Sequence, residues 1–152
     1  MCLPPHAVRV SLDLTGAQLR DFAPHGCQFG DATFVGATFT GASIFIGVEF
    51  TTSSRFDDTV FTGQAAFDEA TFTETGMFEG ARFHEAAGFT RVNFPDSAVF
   101  TSATFNATTA FTGHVTFEEA TFSGGGTSFD GTTLDRNAFT LDGHQELGAG
   151  EP

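Results

Sequence analysis

Phenylalanine recurs along this chain at a spacing that neither a helix nor a flat strand can use. From Phe29 to Phe122 there are 18 Phe, and all 17 steps between neighbours are five or six residues. Between Phe34 and Phe111 the steps alternate strictly, five then six, so the unit is eleven residues and its double is 22. Two positions before each ring stands a small or β-branched residue, as in Ala32, Ala37, Ser43, Val48, Ser54 and Thr59. The 15 charged residues of the stretch all fall one before, one after or two after a Phe. Positions i−2 and i therefore face a dry interior, and i−1, i+1 and i+2 face water.

On an α-helix a five-residue step rotates by about 140°, which would scatter the rings around the cylinder. On a flat strand side chains alternate with period two, so every second ring would land on the wrong face. The pattern predicts a third solution. The chain runs extended through i−2, i−1 and i, turns a corner, and starts again. Four corners close a coil of 22 residues, and successive coils stack at the inter-strand spacing of about 4.8 Å in parallel ladders. Leu14 to Phe139 would make five to six coils. The chain holds 21 Phe and no Tyr or Trp. A hydroxyl or indole N–H in such an interior would lack a partner, and this accounts for their absence.

Gly36-Ala37-Thr38-Phe39-Thr40, Glu69-Ala70-Thr71-Phe72-Thr73 and Ser102-Ala103-Thr104-Phe105-Asn106 carry a small residue at i−2 and an aromatic at i. This pattern resembles the pentapeptide-repeat family. The resemblance implies an all-β fold, a right-handed quadrilateral β-helix. The sixth residue of every second repeat departs from the family's pattern and reads as a longer corner on alternate faces. Leu14, Leu19, Leu134 and Phe139 extend the match at its two ends. Residues 1–13 read as an N-terminal capping strand, because Val8, Val10, Leu12 and Leu14 alternate with polar residues. Residues 14–139 form the β-helix, and 140–152 an acidic, frayed tail. The six-residue step from Phe111 to Phe117 marks a slip in register before the last coil.

Charge changes the picture next. The 152 residues include 19 Asp and Glu against 6 basic side chains, all Arg, for a net charge of −13. That composition excludes a general binder of nucleic acid or anionic membrane, which needs clustered Lys and Arg. No apolar run reaches the roughly 20 residues of a spanning helix. Two Cys make no disulfide framework, and the chain reads as cytoplasmic and bacterial. His84-Glu85 sits on an outward corner without converging partners. His25-Gly26-Cys27 falls short of the three or four ligands zinc needs. Gly124-Gly125-Gly126 has no phosphate-loop context. The expectation is therefore no catalytic residue, no cofactor and no metal.

The acidic surface is the functional lead: Asp57, Asp58, Asp68, Glu69, Glu74, Glu79, Asp96, Glu118 and Glu119. A 22-residue stacking aligns Glu74 with Asp96, and Glu118 or Glu119 with both. The chain reads as a non-enzymatic structural or protein-interaction module with an unknown protein partner. The open ends of the rod, near Phe129, Leu134 and Phe139, offer an end-to-end homodimer. The family resemblance implies an alternative, an acidic DNA mimic that binds a type II topoisomerase (DNA gyrase) and modulates or protects it.

Overall fold

Extended segments too short to carry a sheet alone are joined here across coils rather than along the chain. The computed structural model describes residues 10–94, 98–111, 113–116, 121–123, 132–134, 138–141 and 144–147, with side chains in 10–94, 98–111, 121 and 123. Strands of two to four residues assemble into four sheets, one per side of a coil. Face I stacks Leu12–Asp13, Ala32–Thr33, Ser54–Arg55, Gly76–Met77, Ala98–Val99, Gly113–Thr116 and Thr132–Leu134. Face II runs from Gln18–Arg20 through Thr38–Thr40, Val60–Phe61, Arg82–Phe83, Thr104–Phe105 and Thr121–Phe122 to Ala138–Leu141 and His144–Leu147. Face III holds Ser43–Ile44, Ala65–Ala66, Ala87–Phe89 and Thr109–Phe111, and face IV holds Gln28–Phe29, Glu49–Phe50 and Thr71–Phe72. Parallel pairs separated by 22 residues recur on every face, as in Ala65 with Ala87 and Thr71 with Glu49. The fold is an all-strand parallel β-solenoid, as the ring spacing requires.

The alternation of five and six is an alternation of corners. From Phe34 onward the five-residue steps turn between faces I and II or III and IV, and most close a hydrogen bond across four residues. Ala37 N–H donates to Phe34 O at 2.9 Å, Ala70 to Phe67 at 3.0 Å and Ala81 to Phe78 at 3.1 Å. The third residue of each such turn is left-handed: Gly36, Gly47 and Gly80, but also Asp58, Glu69, Arg91 and Ser102. Six-residue steps turn between II and III or IV and I, where threonine closes the corner differently. The N–H and hydroxyl of Thr62 both donate to Phe39 O one coil away, at 2.9 and 3.1 Å. Thr73 does the same to Phe50 O. At Gly63 a Cβ would stand 2.3 Å from the Gly41 carbonyl oxygen, so coil contact leaves room only for glycine.

Inside, 15 Phe from Phe34 to Phe111 are buried in four columns. Phe34, Phe56, Phe78 and Phe100 stack at 4.7 to 4.8 Å. Phe39, Phe61, Phe83 and Phe105 repeat at 4.8 Å with planes within 9° of parallel. Phe45, Phe67, Phe89 and Phe111 follow at 4.6 to 5.1 Å. Phe50, Phe72 and Phe94 complete the set at 4.7 and 4.9 Å. Between columns the rings meet edge to face, as Phe56 meets Phe67 at 89° and Phe67 meets Phe78 at 88°. This herringbone places positive ring edges against negative faces, the arrangement aromatic quadrupoles favour. The i−2 positions fill the space beneath the backbone. Ala37, Val48, Ala70, Ala81 and Ala103 are fully buried, and Thr59 spends its hydroxyl on Phe34 O at 3.0 Å.

The register departs from 22 at both ends. Leu12 pairs with Ala32 and Leu19 with Phe39, steps of 20 residues. Beyond Phe111 the chain passes from face III to face I, so Val115 pairs with Ala98, a step of 17, and the next step, Val115 to Leu134, is 19. The solenoid makes about four turns, two of them with a strand on all four faces, where the sequence suggests five to six coils. The expected frayed tail also differs: His144–Leu147 pairs antiparallel with Ala138–Leu141. Of the expected capping strand, residues 1–9 lie outside the described residues, and Leu12–Asp13 pairs parallel with Ala32–Thr33. A further ring, Phe22, stands off the repeat and closes the base of three columns. It lies 5.7 to 6.0 Å from Phe34, Phe39 and Phe45.

Candidate interaction surface

With i and i−2 committed to the interior, every polar side chain able to meet a partner stands at i−1 or on a corner. The acidic residues read from the sequence divide by corner. Asp57, Asp58 and Glu79 share the corner between faces I and II, and Asp68 and Glu69 share the corner between III and IV, diagonally across the coil. Glu74 stands on the corner between IV and I and is exposed. Asp96, Glu118 and Glu119 lie outside the described residues. The alignment by 22 that would bring Glu118 or Glu119 into line does not extend there, because the register past Ala98 is 17.

Two of these carboxylates hold coils together. Asp57 is 6% exposed; its Oδ2 accepts from Arg55 Nε at 2.8 Å and its Oδ1 from the Glu79 N–H one coil away at 3.1 Å. Asp68 Oδ1 accepts from the Thr90 N–H at 3.1 Å and from the Thr90 hydroxyl. Both carboxylates thus satisfy an N–H that the turn leaves without a backbone acceptor. Glu69 is paired as well, with Arg91 on the next coil. Asp58 and Glu79 are exposed, and the Asp58 N–H donates to Glu79 O at 2.8 Å. The structure therefore brings Asp57, Asp58 and Glu79 together, sets Asp68 and Glu69 apart from them, and pairs one carboxylate at each corner with an arginine. Sequence spacing foreshadows these pairs: Arg55 stands two before Asp57, and Arg91 stands 22 after Glu69.

A shallow groove of about 310 Å³ crosses face I near its N-terminal end, lined by Ser11, Asp13, Asp31, Thr33, Ser53 and Arg55 among others. Its charged groups already have partners: Asp31 takes the Thr52 hydroxyl at 2.7 Å, and Arg55 is held by Asp57. Asp13 accepts the Thr15 N–H at 3.0 Å, and that bond holds its carboxyl below the usual range. His84 and Glu85 are exposed on the II–III corner, as expected. Cys27 points inward at 4% exposure and is disulfide-bonded, although two Cys make no disulfide framework; His25, two residues before it, is exposed. Among the described residues no three His, Cys, Asp or Glu are grouped as metal ligands would be.

Residues 45–92 match the family model described as Pentapeptide repeats (9 copies). These are pentapeptide repeats. The matched segment spans about two coils, and the same 22-residue register continues on both sides of it, from Ala32 to Phe111. No curated protein and no solved structure matches the chain. In each pentapeptide, the ring and the residue two before it specify the coil. The three other positions are where this chain places its charge.

Proposed function

We propose that this pentapeptide-repeat solenoid is a non-enzymatic module that presents rigid outer faces to another protein. The observation that carries the reading is the allocation of residues. The 15 buried rings and their i−2 partners consume the interior, so chemistry varies only on the faces and corners. Catalysis calls for polar groups converging in a cleft, whereas the charged side chains of the face I groove are already bonded to their own neighbours. Capture from an extract of the native host, with cross-linking, tests the proposal. A partner held by the wild-type chain and lost from an equally folded Asp58→Asn/Glu79→Gln variant supports it. Failure of every version to hold a partner at micromolar concentration overturns it.

A second reading has one observation in its favour. Asp57, Asp58 and Glu79 repeat negative charge at the coil spacing, on a chain of net charge −13. A duplex likewise repeats charge regularly along its axis, so an acidic rod could occupy the DNA-binding surface of a type II topoisomerase such as DNA gyrase. Arg55 and Arg91 weaken this reading by pairing with one carboxylate at each of the two corners. Gyrase supercoiling at fixed salt separates the two. An unchanged rate at micromolar protein removes mimicry, and inhibition or protection abolished by the same double substitution establishes it.

A further inference from the structure

We draw no further inference here: the strongest candidate, the uncharged stripe of Ile44, Ala66, Gly88 and Ala110 along face III, is a row of mostly small residues, in part covered by the Asp68 carboxylate, with no second observation pointing to a ligand.

Discussion

The middle of the rod and its N-terminal end are built from the same backbone and differ in what fills them. Between Ala32 and Ala98 the register holds at 22, and rings such as Phe56 and Phe78 lie 4.8 Å apart with planes 5° from parallel. Below Ala32 leucines take ring positions on faces I and II and the step falls to 20, while on face IV it is 21. There Phe29 meets Phe50 at 6.0 Å and 33°, and Phe22 leans across three columns instead of joining one. Backbone ladders form in both regions, so hydrogen bonding alone does not set the coil length. The flat ring does: it stacks best at the ladder's own spacing, and each ring fixes where the next must stand. A leucine imposes no such match.

That contrast can be broken by experiment, and the largest effect should come from the columns. Phe67→Ala is expected to destabilise by about 3–5 kcal/mol, the cost of a large cavity in a core that cannot collapse. Phe29→Ala, at a half-buried site, should cost no more than about 2 kcal/mol. Urea unfolding of the two variants compares them directly, and equal losses would refute the idea that the columns set the register. Gly63→Ala should cost about 2–3 kcal/mol, because its Cβ meets the Gly41 carbonyl and the backbone must shift. Gly36→Ala, left-handed but with nothing within 4 Å, should cost about 1–2 kcal/mol.

Smaller effects sharpen the same comparison at the corners. Asp57→Ala leaves the Glu79 N–H and the Arg55 guanidinium without their acceptor, and should cost about 1–3 kcal/mol in thermal or urea unfolding. Asp21 makes a longer bond to Ala42 N–H, at 3.3 Å, from an exposed position at the N-terminal end, so Asp21→Ala should stay within about 0.5 kcal/mol. Ser54→Ala runs the other way. The Ser54 hydroxyl is buried with no hydrogen-bond partner, and alanine already stands at the matching position of the neighbouring coil, Ala32. Its replacement should stabilise the middle by about 1 kcal/mol, seen as a higher urea midpoint.

Most of the architecture was legible before any coordinates. Phe and the small residue at i−2 have one environment each, and their spacing admits one backbone path. The alternation of five and six was readable as two kinds of corner, although not that threonine serves the longer one through the carbonyl of the neighbouring coil. Phe22 escaped notice because it follows Leu19 by three residues and precedes Phe29 by seven. It caps the columns through its ring, without occupying a repeat position. The step from Phe111 to Phe117 announced a slip, but a slip in sequence does not say which side of the coil is lost. The candidate surface was the least legible part. Whether Asp57 faces water or braces a corner depends on the N–H presented by the coil beside it, and that contact lies 22 residues away.

The hairpin of Ala138–Leu141 and His144–Leu147 bears on polymerisation. A solenoid of parallel ladders has a direction, so a second copy arriving head to tail would find strands running the way its own do and could continue them indefinitely. On face II the last described strand runs backwards. A newcomer at that side would meet a reversed neighbour, and the pattern that builds the molecule from within would not carry over to the next molecule.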